Sequence, residues 1–221
     1  MMDQNLEKYL KPTDLMDWEH PVIQEKAAQL FFHKDSPVQK AEPLFDFIRE
    51  IPYAFHISFS AEDYKASAIL KANRGFCTQK AILFCTLARC AGIPAGIHFY
   101  DIVDYTLADH FTQFLKTNTL VYHGITSLYL NGKWLQYDAT IDTRLAARKG
   151  MRPVVFSRDK DCLNPPYGLN NQPNIEYIKD RGLYADVTFS DLQNWYKKNY
   201  SHLSELDLVN YMVEREERKS G

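Results

Sequence analysis

The stretch that decides the fold runs His123-Gly124-Ile125-Thr126-Ser127-Leu128-Tyr129-Leu130-Asn131-Gly132-Lys133-Trp134-Leu135-Gln136-Tyr137-Asp138-Ala139-Thr140. Asn-Gly between two runs of β-branched, aromatic and aliphatic residues marks a two-residue type I′ turn, because both central residues must take φ > 0. The pattern predicts a hairpin of residues 120–130 and 133–139. A two-residue loop pairs Leu130 with Lys133, so counting back places Asp138 opposite Ile125 and makes His123 its diagonal neighbour. Side chains alternate between faces with a period of two, so His123 and Asp138 share one face with Ile125, Ser127, Tyr129, Trp134 and Gln136. Diagonal neighbours stand about 7–8 Å apart, within reach of an imidazole and a carboxylate. A His123–Asp138 hydrogen bond is therefore expected.

Upstream, residues 95–103 read as a strand. Before them Arg74-Gly75-Phe76-Cys77 leads into residues 78–91, where Ala81, Ile82, Leu83, Phe84, Cys85, Leu87 and Ala88 leave little polar face. Such a helix is buried on nearly all sides. Gly92-Ile93-Pro94 ends it with a left-handed glycine and a proline. Three further helices are expected in the first third. Pro21 opens one with Val22, Ile23, Ala27, Leu30 and Phe31 as its apolar face, and Ser36-Pro37 opens a second that stops before Pro52. Ser60 with Asp63 caps a third, short helix that ends near Asn73.

Downstream, residues 157–176 are rich in Asn, Pro and Asp and read as a long loop. Ser190 and Gln193 form a capping-box pattern opening a helix through Trp195 and Tyr196. Residues 214–219 are charged and read as a solvated, fraying helix end. No linker divides the chain. The expected architecture is a single α+β domain over residues 1–221, a helical N-terminal half packed on an antiparallel sheet. Its core lies at about 60–140, with N-terminal helices over 1–59 and a C-terminal loop and helices over 141–221.

Cys77 begins its helix, where unpaired N–H groups and the positive dipole end favour a thiolate; an imidazolium nearby favours it further. Gly75 permits the close backbone approach such a turn needs. Cys77, His123 and Asp138 are thus the candidate catalytic residues: an activated nucleophile, a general acid/base and the group that orients it.

Composition limits the alternatives. The 221 residues are 45% hydrophobic and 14% aromatic, and a chain this long buries roughly 70–75% of its unfolded surface without help from metal or disulfide. Lys and Arg number 26 against 28 Asp and Glu, which provides no basic field for nucleic acid or an anionic membrane. No apolar run reaches a membrane span, and residues 1–30 carry scattered acids rather than a signal sequence, so a cytoplasmic protein is expected. In that compartment the four cysteines are thiols. Cys85 and Cys90 are five apart on one helix, rotated by about 140°, and cannot share a metal. His98 and His110 lack ligand spacing, and the 9 glycines form no phosphate loop. Neither metal nor cofactor is expected.

Arg74-Gly75-Phe76-Cys77-Thr78-Gln79-Lys80-Ala81 and Arg89-Cys90-Ala91-Gly92-Ile93-Pro94 resemble the Cys-helix signature of the transglutaminase-like superfamily. The span from His123 through Asn131-Gly132-Lys133-Trp134 to Asp138-Ala139-Thr140 resembles the family's His strand, turn, Gly-x-Trp and Asp-Pro-Thr ending, and Glu176-Tyr177 and the region of Asp186 are similar to bacterial members. The resemblance implies a papain-like α+β fold and chemistry through a thioester, with a peptide or protein amide as substrate. Two departures stand out: Gly124-Ile125 follow the histidine, where members often carry Ala-Trp, and Ala139 replaces the usual Pro. Hydrolysis of an amide or peptide bond is expected over amine transfer (a transglutaminase activity), because no accessory domain or Ca²⁺ loop is legible and Gly124 should leave space beside the base. A non-catalytic binding or scaffold member of the fold is the alternative from a different class. For the oxyanion, the Cys77 N–H is one donor, with Tyr53, His56 or Tyr64 as candidates for the second.

Overall fold

After a single turn at Gln4–Glu7 (α1), Pro21 and Pro37 open the helices α2 (Pro21–Leu30) and α3 (Pro37–Glu50) at the position where a missing N–H costs nothing. The computed structural model describes residues 4–34, 36–55 and 57–220. Ser36 and Gln39 cap α3 reciprocally, side chain to backbone N–H in both directions. The Ser60 hydroxyl accepts the Glu62 N–H at the start of a 3-10 turn, Ala61–Tyr64, which runs on into α4 (Ala66–Ala72) and stops at left-handed Asn73.

The apolar run becomes α5 (Cys77–Cys90), with every residue from Thr78 to Arg89 buried and Gly92 left-handed at φ +77° beyond its end. It packs on α2, α3 and α4 on one side and on the sheet on the other. Its two buried cations find only carbonyl partners. Lys80 Nζ donates to Arg49 O (3.0 Å), Ile51 O (2.8 Å) and Thr140 O (2.8 Å). Arg89 donates to Lys11 O, Ala95 O and Ala185 O, drawing the N-terminal segment, the first strand and the link before the last helices to one point. Phe45, Phe84, Tyr137 and Phe156 form a ring cluster between α3, α5 and the sheet. Truncating Phe84 to alanine there costs about 3–5 kcal/mol.

The sheet is antiparallel throughout, built from β1 (Ala95–Asp104), β2 (Thr119–Leu130), β3 (Lys133–Tyr137) and β4 (Ile175–Tyr184) in the order β3-β2-β1-β4. Helix α6 (Asp109–Leu115) joins β1 to β2, α7 (Thr143–Arg148) follows β3, and α8 (Phe189–Asn199) and α9 (Glu205–Ser220) close the chain. The hairpin register is the expected one, Leu130 opposite Lys133 and Thr126 opposite Tyr137, around Asn131 (φ 52°) and Gly132 (φ 81°). Three expectations change. β3 ends at Tyr137 rather than 139, because the next N–H, that of Asp138, turns to Cys162 O at 2.8 Å instead of to β2. α8 is capped by Thr188 and Asp191, not by Ser190 and Gln193. β4, α6 and α7 were not expected. The solvated end read at 214–219 concerns side chains outside the described residues. Among the described residues no helix is long and apolar enough to cross a membrane.

Candidate active site

The start of α5 is held by its approach. Gly75 bridges to Tyr53, its N–H donating to Pro52 O (3.2 Å) while its own carbonyl accepts from Ala54 N (3.0 Å). Gln79 Oε1 accepts the Phe76 N–H at 3.3 Å, and Cys77 follows as the first helical residue, half-buried. Its N–H belongs to the opening N–H groups that have no partner within the helix.

His123 arrives from β2 just after a bulge. Tyr100 faces His123 but Ile102 faces Leu120, so two residues, Val121 and Tyr122, oppose Asp101 alone. Tyr122 takes the left-handed conformation (φ 54°), a strained choice for an aromatic residue that its surroundings enforce. Its N–H donates to Asp101 Oδ1 (3.2 Å), its ring stacks on Trp195 at 4.4 Å, and Arg181, paired bidentately with Asp101, lies over its other face. The bulge begins one residue beyond His123, so parity counted from the turn still holds at the imidazole.

The expected hydrogen bond is present: His123 Nε2 to Asp138 Oδ2 is 2.8 Å, both groups buried. Asp138 Oδ2 also accepts the Tyr177 hydroxyl (2.6 Å), and Oδ1 accepts the Thr140 N–H (3.0 Å). All three partners are donors. Tyr177, from β4, is the site residue that sequence reasoning missed; the similarity of Glu176-Tyr177 to bacterial members was the available signal. With Nε2 engaged, Nδ1 is the nitrogen left for the thiol.

Electrostatics follow from this packing. Burial works against the Cys77 thiolate, but the His123 imidazole, the Gly124 N–H and the Thr78 hydroxyl outweigh it and hold the thiol below its ordinary value. Burial likewise opposes the imidazolium, yet the Asp138 and Cys77 charges push His123 up to about 10. Despite burial, His123, Tyr177 and Thr140 keep Asp138 well below the usual carboxylate range. The arrangement favours a thiolate–imidazolium pair backed by a carboxylate.

Gly124 does not leave space beside the base. A Cβ there would meet Thr78 Cα at 3.1 Å and the Phe99 ring at 3.2 Å, so the missing side chain admits the first turn of α5, not substrate. Open space lies on the other side, in a cavity of about 280 Å³ that Cys77 and His123 both line. Of the candidate second oxyanion donors, Tyr53 and Tyr64 line that cavity and His56 lies outside the described residues. Tyr196, on α8, lines it as well, its hydroxyl 3.0 Å from Thr78 Oγ1. A second array on the sheet, Ser127 Oγ at 3.4 Å from His98 Nδ1 and His98 Nε2 at 2.7 Å from Asp180, has its serine only 1% exposed. It serves as a polar clasp across β1, β2 and β4.

A cysteine opening a buried helix that packs on an antiparallel sheet, with His on one strand and Asp just past the end of the next, defines the papain-like cysteine-enzyme fold. More narrowly, residues 24–139 match the transglutaminase-like superfamily, just over half of the chain, and the protein belongs to that family. The sequence matches no curated protein. Among solved structures it is similar to one described as "a Putative Cysteine Protease from Cytophaga hutchinsonii", with 18% identity and a TM-score of 0.50 over 83% of this chain and 55% of that one. The chain thus spans about half the length of that structure. It is also similar to a "putative protease" from Parabacteroides distasonis, with 16% identity and a TM-score of 0.37 over 60% of this chain and 25% of that one.

Proposed function

We propose that the protein is a thiol-dependent hydrolase of amide or peptide bonds, working in a reducing, cytoplasmic setting where Cys77 stays free. The observation that carries this reading is the single chain of contacts from the Cys77 thiol through His123 to Asp138, with the thiol opening into a cavity. Cys77 Sγ attacks the carbonyl carbon, and the oxyanion forms against the Cys77 N–H. The imidazolium passes its proton to the leaving nitrogen, the C–N bond breaks and a thioester remains. Water then attacks the thioester, His123 takes its proton, and the acid leaves as the thiol is restored. Asp138 keeps the Nε2–H tautomer in place throughout.

The test is product partition. An acyl-enzyme mass on Cys77, absent in Cys77→Ala, establishes the thioester. Free acid as the main product when millimolar lysine analogue is present supports hydrolysis; amide as the main product assigns amine transfer instead.

A further inference from the structure

Resting on the thiol reading above, we infer that the cavity beside Cys77 selects amides whose acyl part carries an uncharged aromatic side chain next to the reacting carbonyl. The cavity has two walls. Phe55, Phe76, Phe111 and Leu120 form one, from the first two thirds of the chain; Phe189, Leu192, Tyr196 and Leu208, from α8 and α9, form the other. That second wall lies beyond the 24–139 match, so this chain's own C-terminal helices complete the cavity around a family core.

Charge narrows the occupant. Apart from the Cys77–His123 pair, the lining side chains of charged type among the described residues are Lys197 and Glu205, and these pair with each other at 3.8 Å on the exposed rim. A carboxylate or ammonium on the bound group would lose its water without gaining a free counter-charge. Shape narrows it further. About 280 Å³ is just short of the roughly 300 Å³ at which drug-sized pockets begin, enough for one ring and the atoms that join it to a carbonyl. The walls already contain rings meeting edge to face, Phe55 on Phe111 at 4.7 Å, the geometry a further ring prefers. Phe59, 37% exposed, adds a further ring at the cavity. Cys77, whose Sγ bonds the acyl carbon in the thioester, lines this space, so the acyl side chain is the part of the substrate held against it.

Four reagents of known intrinsic reactivity separate the outcomes: iodoacetamide, and the chloroacetamides of 2-phenylethylamine, hexylamine and β-alanine, each followed by mass spectrometry at Cys77. After correction for intrinsic reactivity, the phenylethyl reagent is expected to label Cys77 at least about tenfold faster than the β-alanine reagent, and faster than the hexyl reagent. Phe59→Glu, at a partly exposed position, is expected to remove most of that preference, read within the variant as the ratio of its phenylethyl rate to its own iodoacetamide rate. Labelling by iodoacetamide with no phenylethyl preference overturns the inference and leaves the thiol reading standing. A faster hexyl reagent also overturns it, in favour of an alkyl acyl chain, and an unchanged preference in Phe59→Glu removes the cavity as its source. A Cys77 inert to all four, in folded protein, defeats the thiol reading and this inference with it.

Discussion

Tyr177 and His123 converge on the same oxygen of Asp138, the phenol at 2.6 Å and the imidazole at 2.8 Å. The carboxylate that holds the His123 imidazole is thereby itself held from β4. Tyr177→Phe keeps the ring and removes one hydrogen bond to a charged group, worth roughly 1.5–3 kcal/mol. Turnover is expected to fall about tenfold or more and the melting temperature by roughly 3–12 °C, and the His123 titration is expected to move upward as the carboxylate loses its competing donor. An unaltered imidazole titration would refute the link.

Asp138→Asn is expected to cost roughly a hundredfold or more in rate. An amide has one acceptor oxygen, whereas His123, Tyr177 and Thr140 all present donors, so its NH₂ must oppose one of them. Steady-state kinetics on a sample with native circular dichroism checks this; wild-type kcat would remove Asp138 from the machinery.

His123 is expected to remain an imidazolium through neutral pH and to titrate near 10. With about 6.5 as the unfolded value, its charge contributes stability that is complete below about 6.5 and is lost as pH rises through 10. In Cys77→Ser the thiolate that helps hold the proton is gone, so the imidazole titration should drop. NMR of the imidazole protons across pH 6–11 follows both; identical curves in the two proteins would show that thiol and imidazole do not interact.

Lys80 links the Cys77 helix to the loop of Asp138. Its Nζ donates to Thr140 O, and the Thr140 N–H in turn holds Asp138 Oδ1. Lys80→Met leaves three inward carbonyls without a donor, each costing about 1–3 kcal/mol, so a loss of about 3 kcal/mol or more is expected in urea unfolding. Activity under folding conditions should fall as well, since Asp138 loses its support. A stability change under 1 kcal/mol would show that water replaces the ammonium.

Much of this was legible in the chain because turn chemistry and periodicity are local. Asn131-Gly132 set the register, and the register alone brings His123 to Asp138. β4 escaped notice for a physical reason. Its pairing with β1 slips twice, between Phe99 and Tyr100 and again between Asp101 and Ile102, so no alternation of period two survives along residues 175–184. Tyr177, carried by that strand, was lost with it. Gly124 misled for a related reason: a missing side chain signals close approach, and the sequence does not say whether helix or ligand approaches. The cavity wall from α8 and α9 rests on contacts across the whole chain, which no local pattern encodes.

The carbonyl clasp around Arg89 bears on how the protein is made. One guanidinium joins Lys11, Ala95 and Ala185, and the last of these is synthesised long after the arginine. At about 5–20 residues per second, Arg89 waits roughly 5–20 s on the ribosome for its final acceptor. Until then the C-terminal end of the Cys77 helix holds a cation that cannot be fully enclosed. A nascent chain stalled before residue 185 should therefore leave its N-terminal segment open to protease, and release of the finished chain should close it.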